Sequence, residues 1–302
     1  MPTSRWADLD GPVHYVEWAG PQGRTFVLVH GLGGSLLSWL SIGSLLAERG
    51  RVLALDLVGF GRTPRRGRRS RVTDNRRIVS RFLHEVAGGG PVVLCGNSMG
   101  GGICMLQAAL EPETVERLVL SNSVFPWVWG AYPAPIVVAG FGLYQIPRVG
   151  EWVSRRRLNG FDAERAVRLG LRIITADPSR IDPELVHEHV DALIRQQANE
   201  DAGPAFVESA RSLMALGRRP QIARWILESV RCPVLVIHGR EDRLVPYRFA
   251  QAAARGRSGW ELVTLPGVGH VPQMEAPDRW IAAVERWLDT GHPASPALPA
   301  SD

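Results

Sequence analysis

The chain has 302 residues, 35 of them basic and 30 acidic, and all 35 basic residues are arginine. The absence of lysine excludes Schiff-base chemistry, a pyridoxal-phosphate anchor and a Walker-type phosphate loop, each of which depends on a lysine amine. Hydrophobic content of 45% and charged content of 22% exclude wholesale disorder, and the length suits one large domain or two small ones.

The net charge of +5 is unevenly placed: ten arginines fall between Arg51 and Arg81, and elsewhere the two signs roughly balance. No nucleic-acid-binding motif accompanies that stretch, so no nucleic-acid partner is expected. The expectation is a solvated loop, or at most an attraction for an anionic visitor. The three cysteines, Cys95, Cys104 and Cys232, are odd in number, sit in apolar surroundings and lack metal-ligand spacing. They predict reduced core residues in an intracellular, cytoplasmic protein with no bound metal. The first ten residues lack the apolar core and cleavage site of a secretory leader. No apolar run reaches the ~18 residues needed to span a bilayer.

Taken in chain order, the segment around Val13–Trp18 predicts an antiparallel start. Thr25–Val29, Arg51–Leu55 and Pro91–Cys95 are continuous, β-branched runs, as expected for strands buried on both faces of a mainly parallel sheet. Arg117–Ser121, Pro233–His238 and Trp260–Leu265 repeat the signature. Between the early runs, Trp39–Arg49, Thr73–Ala87 and Met99–Leu110 carry apolar residues at helical spacing, so the rhythm predicts a doubly wound α/β fold. From Phe125 to Val230 the strand signature disappears. That stretch predicts a helical insertion with helices over Arg148–Leu158, Ala163–Thr175, Pro183–Gln197, Pro204–Leu216 and Gln221–Ser229. Residues 291–302 read as a disordered tail.

Gly96-Asn-Ser-Met-Gly100 lies directly after a strand and directly before a helix. With 18 serines and 32 glycines, chance alone supplies roughly 0.2 such motifs, so the context carries the weight. A strand–turn–helix needs glycines at the tight turn and lifts Ser98 above the sheet edge, at the positive end of a helix. A serine nucleophile needs a base, and the base needs an orienting acid. Asp242 follows the next-to-last strand and His270 follows the last, both at the carboxyl edge where open α/β sheets place their sites. Glu241 is the weaker alternative for the acid. His30-Gly-Leu-Gly-Gly34, after the Thr25–Val29 strand, offers a flexible backbone whose Leu32 amide, with that of Met99, suits an oxyanion. His14, His84, His187 and His189 read as surface or insertion residues.

The motifs H-G-L-G-G, D-L-V-G-F-G-R-T, G-N-S-M-G-G, G-R-E-D-R-L-V-P and G-V-G-H together resemble the α/β-hydrolase superfamily over nearly the whole chain. The resemblance implies Ser98 as nucleophile, His270 as base then acid, Asp242 as orienter, and no cofactor. It implies a core of residues 1–124 and 231–290, with residues 125–230 as a helical cap inserted before the strand that precedes Asp242. A serine at the elbow is unlike the aspartate of haloalkane dehalogenases and epoxide hydrolases. Two motifs resemble the carbon–carbon hydrolases that act on vinylogous diketones from ring cleavage. Against this, the chain lacks their G-G-G-P-G loop and a glycine-proline-glycine turn after Ser121. It also has Val271 in place of tryptophan and no arginine near His187–His189. Hydrolysis of a carboxylic ester with an apolar portion is therefore expected. Carbon–carbon cleavage is the runner-up, followed by acyl transfer and a non-catalytic receptor. Trp127 and Trp129 are candidates for substrate contact, and the apolar run Pro135–Tyr144 reads as cap core, an acyl-pocket wall or a face that dips into a membrane surface.

Overall fold

The computed structural model describes residues 2–125 and 135–290. The first half builds β1 (Thr3–Asp8), β2 (Pro12–Trp18), β3 (Thr25–Val29), α1 (Leu40–Leu46), β4 (Arg51–Leu55), α2 (Val72–Glu85), β5 (Val92–Asn97), α3 (Met99–Leu110) and β6 (Val115–Ser121). Six helices follow: α4 (Pro135–Gln145), α5 (Val149–Asn159), α6 (Ala163–Ile174), α7 (Pro183–Gln197), α8 (Ala202–Gly217) and α9 (Pro220–Ser229). The chain then returns to β7 (Val234–Gly239), α10 (Tyr247–Ala254), β8 (Trp260–Leu265), α11 (Pro272–Glu275) and α12 (Pro277–Asp289).

The eight strands form one sheet in the order β1-β2-β4-β3-β5-β6-β7-β8. The β1–β2 and β2–β4 pairs are antiparallel and the remaining five are parallel. Period-two alternation assigns each strand residue to one side. Val27, Leu53, Leu94 and Leu120 pack with residues of α2 and α3, while Phe26, Leu28, Val119 and Ile237 pack with residues of α1 and α12. Helices on both faces explain why these strands read as unbroken apolar runs.

The predicted helices appear within a few residues of their expected ends, and α4 occupies the apolar run that sequence reading left unassigned. α7 begins as expected, with the Asp182 carboxylate accepting from Glu184 N and proline at the first helical position. None of the helices among the described residues is long and apolar enough to cross a membrane. The cysteines are free. Cys95 and Cys104 are buried and Cys232 is half-buried, and burial pushes all three thiols up, which leaves them unreactive.

The arginine-rich stretch is solvated in part, with Arg62, Arg66, Arg69, Arg71 and Arg77 exposed, and tied to the fold in part. Arg68 donates to the carbonyls of Leu9, Gly11, Pro12 and Pro64, which knits the loop to β1 and β2. Arg65 and Arg69 both reach Glu208 on α8, at 2.7 and 3.2 Å, and Glu208 also accepts from Ser70 N at 2.9 Å. Arg71, Arg76 and Arg81 pair with Asp74, Glu111, and Glu85 with Asp10. Arg65, Arg68 and Arg69 therefore act as a clamp, and one arm of it holds the helical insertion to the core.

Candidate active site

Ser98 sits at the junction of β5 and α3 with φ 53° and ψ −121°, a strained conformation for a non-glycine residue. The turn closes because its glycines lack side chains. A Cβ on Gly100 would stand 2.2 Å from the Val29 carbonyl oxygen, and one on Gly96 would stand 2.5 Å from Gly101 N. Ser98 is held by backbone bonds from its N–H to Ser121 O and from Val124 N–H to its own carbonyl. Met99, the first residue of α3, has by helix geometry no intrahelical acceptor for its N–H.

The glycine loop after β3 comes against the same serine, since a Cβ on Gly31 would lie 3.0 Å from Ser98 Cβ. Leu32 is the next residue, half-buried against the core. His30 fixes the start of the loop: its Nδ1 donates to Gly31 O at 2.7 Å, and its Nε2 accepts from Leu57 N–H at 3.0 Å. Burial lowers its pKa, which outweighs the pull of Asp56, so the ring is a neutral support.

His270 and Asp242 meet at the ends of β8 and β7. The His270 Nδ1–H donates to Asp242 Oδ2 at 2.7 Å, and both side chains are almost fully enclosed. That bond leaves Nε2 as the ring's free acceptor. The other carboxylate oxygen accepts from Leu244 N–H at 2.8 Å and Val245 N–H at 3.0 Å. Burial by itself pushes the Asp242 carboxyl up. The facing His270, together with the Asn122 amide, outweighs that and holds it below the ordinary carboxylate range. Glu241 is committed elsewhere, bound to Val268 N–H at 3.0 Å. His238 Nε2 lies 3.6 Å from Asp242 Oδ2, the oxygen that His270 bonds, and its Nε2–H donates to Val245 O. Burial lowers its pKa, so it stands beside the acid as a neutral ring.

Two asparagines join these parts. Asn97, directly before Ser98, donates through Nδ2 to Ser121 O at 2.9 Å and to His270 O at 3.1 Å, which docks the histidine loop on the serine turn. Asn122, at the end of β6 with φ 42°, donates to Asp242 Oδ2 at 2.6 Å and Gly269 O at 3.1 Å and accepts from Gly239 N–H. Sequence patterns alone assign Asn122 no role. Its positive φ and cross-strand reach have no local sequence signal.

The helical insertion also touches the site. Glu275, buried on α11, accepts from Gly269 N–H at 2.7 Å, Ala176 N–H at 2.9 Å and Asp177 N–H at 2.8 Å. His270 N–H donates to Ile174 O at 2.6 Å, and Val271 packs with Leu171, Ile181 and Leu185. The Arg157 guanidinium, from α5, reaches 3.0 Å from where a Cβ on Gly33 would stand and lies 4.3 Å from the Phe206 ring centroid. Among the described residues no carboxylate pairs with it, and the surrounding protein lowers its pKa by desolvation. Trp127 and Trp129 fall outside the described residues.

His14 is buried rather than exposed. Its Nδ1 bonds Asp56 Oδ2 at 2.8 Å, and its Nε2 bonds Ser4 Oγ at 2.9 Å. Serine, histidine and aspartate thus line up a second time. Here the serine is exposed on edge strand β1, away from any helix terminus, and Asp56 is tied to Leu36 N–H and Arg62 N–H. This second set anchors loops, and of the two serines Ser98 is the one that stands at a helix N-terminus against the glycine loop.

The sequence matches the alpha/beta hydrolase family over residues 26–284. Among relatives, it is 28% identical over 284 residues to the dihydrolipoyllysine-residue acetyltransferase component of the acetoin cleaving system of Pseudomonas putida, covering 92% of this chain and 67% of that one. It is also 28% identical over 276 residues to the 2-hydroxy-6-oxo-6-(2'-aminophenyl)hexa-2,4-dienoic acid hydrolase of Metapseudomonas resinovorans, covering 88% and 84%. A solved structure described as a putative lipase from Acinetobacter baumannii shares the fold, with TM-score 0.78, 21% identity, and coverage of 96% and 91%. The matched span takes in every element of the site just described, and the chain belongs to the alpha/beta hydrolase family.

Proposed function

We propose that the chain is a serine hydrolase that cleaves a carboxylic ester with a sizeable apolar portion, and that residues 125–230 cap a core of residues 1–124 and 231–290. The observation that carries this reading is the convergence of three strand ends. Asn97 bonds the His270 backbone beside Ser98, while His270 is itself bonded to Asp242.

In this mechanism Ser98 Oγ attacks the ester carbonyl while His270 Nε2 takes its proton, and the Asp242 carboxylate stabilises the imidazolium. The Leu32 and Met99 amides hold the oxyanion. His270 then gives its proton to the departing alcohol, and the same histidine activates water to release the acid from Ser98. Losing one oxyanion donor is expected to cost about 10²–10³ in rate. A series of model esters of increasing acyl length tests the reading. Turnover rising with chain length and lost in Ser98→Ala supports it, and no turnover on any ester contradicts it.

Carbon–carbon hydrolysis of a vinylogous diketone acid is the second reading. The relative named as a dienoic acid hydrolase favours it, and so does Arg157, whose guanidinium beside Gly33 has no carboxylate partner among the described residues and suits a substrate carboxylate. The sequence shows no such arginine near His187 and His189, whereas α5 supplies one. A coloured dienol acid bleached by the protein, with simple esters untouched, selects this reading.

A further inference from the structure

α4 and α5 pack together as a hairpin and leave a cluster of large apolar side chains exposed on it. On α4 and the turn, Val138, Leu143 and Ile146 fall within one arc of the helix and are 46%, 44% and 50% exposed. On α5, Val149 and Trp152 are 36% and 60% exposed, Trp152 being the most exposed large apolar side chain among the described residues. The opposite sides are buried in the insertion: Tyr144 meets Phe206 edge to face, and Ser154 and Leu158 are enclosed.

The hairpin is tied to α8 on its buried side. Arg211 of α8 donates to Tyr144 O at 2.7 Å and to Ile146 O at 3.4 Å, and pairs with Glu151 at 2.8 Å. Arg148 takes φ 67° at the turn, and Gly150 packs so closely on Tyr144 that a Cβ would stand 2.7 Å from its carbonyl oxygen. The face is therefore presented by a pinned element and is not an unfolded edge.

Its rim is cationic. Arg148, Arg155 and Arg156 are exposed, and among the described residues none of the three forms an ion pair. Residues 135–161 carry one acidic side chain, Glu151, which Arg211 neutralises. Exposed Ile, Leu, Val and Trp on one short hairpin with three exposed arginines is the surface chemistry of a segment that lies in the interface of an anionic bilayer. The apolar side chains enter the acyl boundary, and the guanidinium groups reach the headgroup phosphates. A protein partner would need matching carboxylates and shape, whereas an anionic lipid surface needs only what this face presents. We propose that the outward face of α4–α5 docks the protein on anionic membrane surfaces. The proposal stands on this hairpin alone and does not depend on which bond the active site cleaves.

The test is co-sedimentation of the full chain with vesicles of phosphatidylcholine alone or mixed with phosphatidylglycerol. Three arginines near an anionic surface are together worth roughly a hundredfold in partition. The expected result is strong binding to the anionic vesicles and weak binding to the neutral ones, with salt reducing the difference. The double variant Ile146→Glu/Trp152→Glu should lose binding at least tenfold while keeping the wild-type melting temperature and circular dichroism. Arg148→Gln/Arg155→Gln/Arg156→Gln should lose the preference for anionic lipid. Equal binding to both vesicle types, no binding at low salt, or binding retained by the folded double variant overturns the proposal. So does light scattering that shows a wild-type dimer which the double variant abolishes, because the face would then be covered by a second copy.

Discussion

Replacing Asn122 with glycine removes three hydrogen bonds at the centre of the site while leaving the backbone at ease with φ 42°. The bond to the Asp242 carboxylate is charge-assisted and buried, and such bonds are worth about 1.5–3 kcal/mol. Gly239 N–H and Gly269 O also lose their asparagine partner, at about 1–3 kcal/mol for each buried group that no water reaches. Water entering the vacated space recovers part of this, so a net loss of about 3–5 kcal/mol is expected. The loss should depend on pH. Asp242 is held below the ordinary carboxylate range in the folded state, so its contribution is present above the unfolded value and is lost as pH falls through the folded one. Without Asn122 its carboxyl rises toward the ordinary range, and the gap between wild type and variant is widest near neutrality and narrows on acidification. Urea unfolding of both proteins at neutral and acidic pH measures the gap. Ester turnover should fall by about ten- to a hundredfold as the Asp242–His270 pair loosens. A gap below about 1 kcal/mol at neutral pH, or one that widens in acid, would refute the reasoning.

Asp242→Asn should leave the fold in place and lower turnover by about 10³–10⁴, read as kcat on a model ester. Gly100→Ala drives a methyl into the Val29 and His30 carbonyls, so thermal unfolding should show severe destabilisation and Ser98 should lose its reactivity. Glu208→Ala frees Arg65, Arg69 and Ser70 N–H, and the expected cost is about 1–3 kcal/mol, with faster proteolysis within α4–α9. Glu275→Gln turns an amide donor toward backbone N–H groups that now share a carboxylate, so stability should fall by about 2–4 kcal/mol with a matching loss of kcat.

The doubly wound core was legible because its strands are buried on both faces and so read as unbroken apolar runs, and because Gly96 and Gly100 mark a turn that a side chain would block. Ser98, Asp242 and His270 could be placed for the same reason, each standing at the end of a recognisable strand. The contacts that hold them there could not. Asn122 reaches from β6 to the loops after β7 and β8, and Glu275 bridges a core loop to residues nearly a hundred positions earlier. No local pattern encodes such distances. His14 reads as an isolated polar residue in a strand until β2 pairs with β4 and Asp56 lies across from it.

The insertion shows the same limit. Helical spacing located α5 through α9, but an amphipathic pattern does not say which face meets the core and which meets solvent. That choice decided the fate of the arginines: Arg65 and Arg69 became a clamp through Glu208, and Arg157 turned toward Gly33. It also left Val138, Ile146 and Trp152 on the outside of a hairpin whose apolar run suggests a core.

The most direct test of the central claim is labelling of the intact protein with a fluorophosphonate probe, with the modified peptide identified by mass spectrometry. The expected outcome is a single adduct on Ser98, absent in Ser98→Ala and slowed in His270→Ala. Unmodified protein under conditions that label a control serine hydrolase, or an adduct that maps to Ser4 instead, would contradict it.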